Sequence, residues 1–382
     1  MNVHDFFIPP TVIYGQGSLK RLAEEAEGLG RKALLVVGRG SLTRSGALDR
    51  IRDLLRSKAV TAVLFEGVEQ DPAIETVDRG TEQALESGCQ MVIAAGGGSV
   101  IDTGKAIAGM VTNDGSVREY LEGREITEKP LPCIAIPTTA GTGAEVTKNS
   151  VLTNRQELYK KSIRHRWLIP TAAIVDPELT LSLPPEVTAS TGMDTLAQLI
   201  EPYVSRKSTP MTDALALYGM ELVGRSLQRA ITNGSDVEAR SDMSLASLLS
   251  GMALTNSGLG AAHALSHPMG AHRGVPHGVG CAILLPYVME FNLPAAREKY
   301  ARVATALGEN THGLSTVEAA RKAIGRVHAL CKEIGIPQRL SAVGINDEDL
   351  PMIARESHGS SLTGNPVETS DEELVALLRK AL

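Results

Sequence analysis

The feature that most constrains this fold is a change of texture at Pro184 and Pro185. Upstream of it, short apolar runs alternate with stretches of helical spacing. ALLVVGR at 33–39 precedes LTRSGALDRIRDLLRS, VTAVLFEGV precedes AIETVDRGTEQALES, and CQMVIAAGGGS precedes VIDTGKAIAGMV. Apolar runs that stop at glycine read as buried strands, and the periodic stretches between them as helices. That alternation implies a parallel sheet with helices on both faces. LPCIAIPTTAG at 131–141 and TAAIVDPEL at 171–179 add two strands, with a polar hairpin around Thr153 to Gln156 between them. Downstream, the strand-like runs disappear. Apolar periodicity predicts helices over 186–204, 210–231, 236–257, 261–271, 277–291, 294–306, 315–334 and 371–381. Residues 1–184 are therefore expected to form an α/β domain and residues 185–382 an all-helical one, with ligands in a cleft at the strand carboxyl ends.

Composition narrows the function classes. A net charge of −6 gives no electrostatic reason for nucleic acid or an anionic membrane as partner. Aromatic residues are 3% of the chain, so the core must be filled by Ala, Leu, Ile, Val and Met. Cys89, Cys133, Cys281 and Cys331 lie far apart with no CxxC pair, which predicts reduced thiols in a reducing compartment. The N-terminus has no basic region followed by a long apolar run, and no stretch reads as membrane-spanning. A cytoplasmic protein is expected.

Two stretches carry chemistry. In AAGGGSVIDTGKAIA, Gly96, Gly97, Gly98 and Ser99 stand between a strand and a helix, where the free amides of the first helical turn favour an anion such as a pyrophosphate. A tight turn without a ligand uses glycine too, and this turn follows the third strand, whereas GxGxxG usually follows the first. The second stretch, 261–281, holds four of the nine histidines. On a helix His263 and His267 leave the same face, and the turn at Gly274 to Pro276 brings His277 back toward His263.

GGGSVIDTGKAIA, PTTAGTGAEVT at 137–147, GMDTLAQLIEPYVS at 192–205 and HALSHPMGAHRGVPHGVGCAILLPYVMEFN at 263–292 stand in the order and spacing of the iron-containing (group III) alcohol dehydrogenases. The chain resembles that family from FFIPPTVIYGQGS to GNPVETSDEEL. The resemblance implies an α/β N-terminal dinucleotide-binding domain with a parallel sheet plus an all-α C-terminal domain, as in dehydroquinate synthase, with metal and substrate in the cleft. It implies hydride transfer between NAD(P)(H) and a small alcohol, aldehyde or ketone. By the same match Gly97, Gly98, Ser99 and Asp102 cradle the pyrophosphate, Thr138, Thr139 and Thr142 line the nucleotide, and Lys160 contacts its ribose side. Turn capping is the alternative role for the threonine hydroxyls.

The family's metal ligands are the Asp and His of GMDxxxH and the first and third histidines of HxxxHx9H. Asp194, His263 and His277 match them, and Gln198 stands where the pattern has a histidine. A carboxylate and two imidazoles suit Fe(II) and also Zn(II). Three states are open: a metal with Gln198 as a weak fourth ligand, a looser metal with three, and a metal-free site. His267, not a ligand in the family, is placed to relay a proton or orient substrate. NAD-preferring relatives carry an Asp at the end of the first strand, and this chain has Gly38 there. Arg39 and the Ser41 hydroxyl would pair with a 2′-phosphate, so NADP is expected ahead of NAD. The expected partners are a small alcohol or carbonyl substrate and further copies of the chain, as a homodimer or larger homo-oligomer. Maleylacetate reductase-like, dehydroquinate synthase-like and catalytically silent nucleotide-binding proteins are the alternatives.

Overall fold

The structure is a computed structural model that describes residues 4–382. The chain divides into two compact units, one of residues 7–139 and 143–182, the other of 183–382 with 4–6 and 140–142.

In the first unit the elements run β1 (Thr11–Tyr14), α1 (Leu22–Glu27), β2 (Lys32–Gly38), α2 (Ser41–Arg44), α3 (Ala47–Ser57), β3 (Thr61–Val68), α4 (Ile74–Glu86), β4 (Met91–Gly96), α5 (Gly98–Met110), α6 (Val117–Leu121), β5 (Cys133–Pro137), β6 (Asn149–Asn154), β7 (Tyr159–Arg164) and β8 (Ala172–Val175). Six strands form one parallel sheet in the order β1-β8-β5-β4-β2-β3, and β6 pairs antiparallel with β7 as the expected hairpin. The period of two decides which face each side chain covers. Leu34 and Val36 pack with Ile107 on one face, while Ala33, Leu35 and Val37 pack with Leu48 and Ile51 on the other. Each fully buried Leu or Ile is worth roughly 1.5 to 3 kcal/mol, so both faces must be covered. The strand order reverses at β2, with β3 on one side and β4 on the other. The turns after β2, β4 and β5 consequently open side by side at the carboxyl edge, as the pairs Val37 with Ala95 and Gly96 with Pro137 show. Such a reversal is where open α/β sheets bind ligands.

The second unit is helical: α7 (Pro185–Val204), α8 (Pro210–Thr232), α9 (Val237–Ser257), α10 (Ala261–Arg273), α11 (His277–Ala306), α12 (Thr316–Glu333), α13 (Leu350–Glu356) and α14 (Asp371–Ala381). The two helices expected over 277–306 are one, with Pro286 and Pro294 inside it. Each proline lacks the N–H that would bond the carbonyl four residues back. The orphaned Ala282 carbonyl accepts from the Cys331 thiol at 3.5 Å, and Glu290, opposite Pro294, is exposed to water. An apolar window of α11 has the length and composition to cross a membrane, correcting the expectation from sequence, and 61% of it is buried within the protein.

Inside the α/β unit, Lys105 of α5 ties down the segment after β5. Its ammonium donates to the Ala144 carbonyl and the Thr147 hydroxyl, both at 2.9 Å, and pairs with Asp102 at 3.0 Å. Glu145 lies in the same segment, and burial pushes its carboxyl up from 4.5 to about 7, with the Lys105 charge opposing. A folded pKa above the unfolded one means the unfolded chain loses this proton first. Stability from this group is complete below pH 4.5 and lost as pH rises to about 7. Relative to Glu145→Gln, the protein should lose on the order of 3 kcal/mol across that window and nothing further above it. Urea unfolding of both proteins at stepped pH measures the difference, and parallel profiles would show that Glu145 ionises freely.

Candidate metal and nucleotide sites

The metal site is built on α7, which presents Asp194, Gln198 and Glu201 at i, i+4 and i+7, all buried. Glu201 reaches the start of α10. Its carboxylate accepts from the amides of Gly260 at 3.0 Å and Ala262 at 2.6 Å, and from His263 Nδ1 at 2.6 Å. An ionised carboxylate only accepts, so Nδ1 carries a proton and Nε2 is the nitrogen left to face Asp194. Burial pushes the imidazole pKa down, yet the carboxylates of Glu201 and Asp194 hold it well above its ordinary value. Gly260 permits this approach, since a Cβ there would lie 2.9 Å from Glu201 Oε1. Asn365, in the C-terminal GNP segment, braces the same turn by accepting from the Ala261 amide at 3.4 Å.

His263 Nε2 stands 3.3 Å from Asp194 Oδ1. Both atoms are buried without a hydrogen-bond partner among the described residues. His277, the first residue of α11, brings its Nε2 to 3.7 Å from the same oxygen. Gly278 allows that, because a Cβ there would meet the Ser190 carbonyl oxygen at 2.4 Å. Ser266 fixes the helix start through the His277 carbonyl at 3.1 Å. The ligand atoms of Asp194, His263, His277 and Cys281 all lie within 4.8 Å of one another. Burial pushes the Asp194 carboxyl up, yet His277, His263 and the Gln198 amide together hold it below the usual carboxylate range. Orphaned buried donor atoms facing one point fit a divalent cation, and a carboxylate with two imidazoles suits Fe(II) or Zn(II).

Gln198, expected as a weak fourth ligand, is hydrogen-bonded on both sides of its amide. Its amide nitrogen donates to Asp194 Oδ2 at 2.9 Å, which orients the carboxylate, and its carbonyl oxygen accepts from Ser250 at 3.0 Å. His267 is half-buried and stacks on His277, with ring centroids 5.4 Å apart. His272 and Arg273 form ion pairs with Glu356 and Asp349. Neither belongs to the cluster. Glu201 and Cys281 were missed from sequence. Both had a signal in helical spacing, at i+7 from Asp194 and i+4 from His277.

In the α/β unit Gly97 caps α5, with Gly98 and Ser99 opening the helix. Gly38, Arg39 and Ser41 line the adjoining turn after β2, where Arg39 and Ser41 are exposed. Thr138 donates its amide to the Gly96 carbonyl at 2.9 Å, and the Thr139 side chain lies 3.5 Å from the position of a Cβ on Gly97. Thr142 falls in the segment 140–142 that groups with the helical unit. Two of the expected nucleotide contacts are paired with protein groups. Asp102 accepts from the Val151 amide at 3.1 Å and pairs with Lys105, holding the β6–β7 ribbon. Lys160 pairs with Asp71, whose amide donates to the Ser99 hydroxyl at 3.2 Å.

The chain thus combines an α/β unit with a glycine turn at its switch point and a helical unit with converging metal-ligand atoms. Residues 9–177 match the family described as iron-containing alcohol dehydrogenase, and residues 188–382 the C-terminal part of the Fe-containing alcohol dehydrogenase family. The 1,3-propanediol dehydrogenase of Klebsiella pneumoniae is 37% identical over 380 residues, covering 99% of this chain and 98% of that one. The NAD-dependent methanol dehydrogenase of Bacillus methanolicus is 36% identical, over 99% of this chain and 100% of its own. A crystal structure of 1,3-propanediol oxidoreductase matches with TM-score 0.97 and 38% identity over 100% of both chains. The chain belongs to the iron-containing alcohol dehydrogenase family, whose members use NAD(H) and iron. It is an alcohol dehydrogenase or aldehyde reductase.

Because Glu201 sets the tautomer of His263, Glu201→Gln should weaken metal binding by roughly ten- to a hundredfold, the usual cost of losing a carboxylate behind a metal-bound imidazole. Competition with a chromogenic chelator measures this. Unchanged affinity in a folded variant would show that His263 needs no such support.

Proposed function

We propose that Asp194, His263 and His277 hold the catalytic metal and that the turns after β2, β4 and β5 hold a nicotinamide dinucleotide, with NADP preferred over NAD. The observation that carries the metal assignment is the pair of orphaned buried atoms, Asp194 Oδ1 and His263 Nε2, facing each other at 3.3 Å. When bound, the two groups supply Lewis-acid polarisation of the substrate oxygen and hydride exchange at its carbon.

The chain's own residues do the rest. Asp194 supplies the negative charge that retains a cation, with Gln198 fixing its orientation. His263 offers Nε2, the nitrogen that Glu201 does not engage, and gives up its proton there when a cation binds. His267, stacked on His277, holds a proton at its imidazole and exchanges it with the substrate oxygen. Gly97, Gly98 and Ser99 present backbone amides to the pyrophosphate at the start of α5, a helix long enough to carry a dipole. Asp102 and Lys160 shape the rim through Lys105, Val151 and Asp71, and Thr138, Thr139 and Thr142 border the nucleotide. Four buried free cysteines accord with a cytoplasmic protein. Met211 and Tyr218, exposed seven residues apart on α8, give apolar surface for a homodimer or larger homo-oligomer.

The cofactor preference rests on Gly38. No carboxylate at this place repels a 2′-phosphate, and Arg39 with Ser41 is exposed beside it. A Cβ on Gly38 would meet only ordinary contacts, at 3.4 Å from Val100 and 3.7 Å from the Val68 carbonyl, so an Asp can be introduced there. A charge-assisted contact of ~1.5 to 3 kcal/mol corresponds to a tenfold to hundredfold preference for NADPH. The test is kcat/KM with NADPH and NADH across a panel of small aldehydes and ketones, before and after chelator treatment and on restoring Fe(II) or Zn(II). Turnover should vanish on stripping and return with metal, and Gly38→Asp should move the ratio toward NADH. Turnover that survives complete metal removal contradicts the metal assignment. An initial preference for NADH, or a ratio indifferent to Gly38→Asp, contradicts the role of this turn.

A further inference from the structure

We infer that Cys281 is the fourth protein ligand of the metal, replacing from α11 the donor that Gln198 withholds on α7, and that the resulting shell of one carboxylate, two imidazoles and one thiolate selects Zn(II). The inference rests on the metal assignment of Asp194, His263 and His277.

Four observations carry it. First, Gln198 is held by Asp194 through its nitrogen and by Ser250 through its oxygen, and the ligand atom α7 brings to the cluster is that of Asp194. Second, Cys281 lies one helical turn beyond His277 on α11, on the same face, and its Sγ is 3.8 Å from His277 Nε2. Around a tetrahedral zinc, bonds of about 2.0 to 2.3 Å place neighbouring ligand atoms roughly 3.3 to 3.6 Å apart. Three of the six separations lie close to those edges, 3.3 Å for His263 and Asp194, 3.7 Å for His277 and Asp194, and 3.8 Å for the hydrogen-bonded Cys281 and His277, and all six are within 4.8 Å. Third, Cys281 is fully buried, and the two orphaned atoms show that this pocket holds unmet bonding capacity. Fourth, all four thiols are buried among apolar side chains, and among the described residues Cys281 is the one grouped with His and Asp ligand atoms, whereas Cys331 donates to the Ala282 carbonyl. Gly280 keeps this part of α11 close to α10, where a Cβ would meet Ser266 Oγ at 2.6 Å.

Coordination exchanges the S–H proton for the metal, so one proton leaves to solvent as the thiolate binds. A thiolate is a soft donor that zinc accepts readily, whereas open Fe(II) sites are made from imidazole and carboxylate.

The test uses the full-length protein stripped and reloaded with Co(II) or Zn(II). Cobalt-loaded protein should show a thiolate-to-cobalt charge-transfer band in the near ultraviolet, and zinc-edge X-ray absorption should show one sulfur at about 2.3 Å beside nitrogen and oxygen ligands. Cys281→Ser should bind cobalt without the band and hold zinc about tenfold or more weakly, with a smaller change for Fe(II). The spectra of the unaltered protein decide the matter even if the variant misfolds. A nitrogen- and oxygen-only shell, with metal still lost in His263→Ala, overturns the role of Cys281 and leaves the proposed function standing. No stoichiometric metal in the unaltered protein overturns both.

Discussion

The metal site depends first on the Glu201 carboxylate. It is buried at the start of α10 and accepts three N–H hydrogen bonds, two from backbone and one from His263. A carboxylate in that position answers the unpaired amides and partial positive charge of a helix N-terminus. Hydrogen bonds to a charged group contribute about 1.5 to 3 kcal/mol each, and losing the acceptor would bury its donors unpaired. The same carboxylate therefore fixes the helix start, the ring orientation and the tautomer of His263. His263 Nε2 is then committed to the point that Asp194 faces.

Close approach is the second constraint. Gly260 lets α10 begin against Glu201, and Gly278 lets α11 begin against α7, so that three helices deliver ligand atoms to one place. Small residues here are a condition of the chemistry, because a methyl group at either position would meet Glu201 or the Ser190 carbonyl. In the α/β unit the corresponding condition is topological. The reversal of strand order at β2 sets the Gly38 turn beside the Gly97 turn, placing a candidate selector for the ribose phosphate next to a candidate cradle for the pyrophosphate.

The parallel sheet, the β6–β7 hairpin and most of the helices were legible in the sequence because burial there follows period two or period 3.6. β1 was not read as a strand, since its four residues follow Pro9 and Pro10 and it lies at the sheet edge. α11 was divided at Pro294 because a sequence does not show that an exposed turn and a cysteine thiol can compensate two missing amides. At the site, His263 and His277 were legible from spacing and Asp194 from the family motif GMDxxxH, and the structure brings them together. The orientation of the Gln198 amide was not, because it is decided by Ser250, fifty-two residues away in the chain. Glu201 and Asp102 illustrate the same limit: their partners, Gly260 and Val151, come from other elements. Spacing indicates which residues share a face, while the partner across the interface decides what each does.

The central claim is that Asp194, His263 and His277 together hold a catalytic metal. Anomalous diffraction at the iron and zinc absorption edges, from crystals of the metal-loaded active protein, tests it most directly. The account predicts one strong peak at bonding distance, about 2.0 to 2.2 Å, from Asp194 Oδ1, His263 Nε2 and His277 Nε2. An active protein with no peak there, or with its metal bound elsewhere, would contradict it.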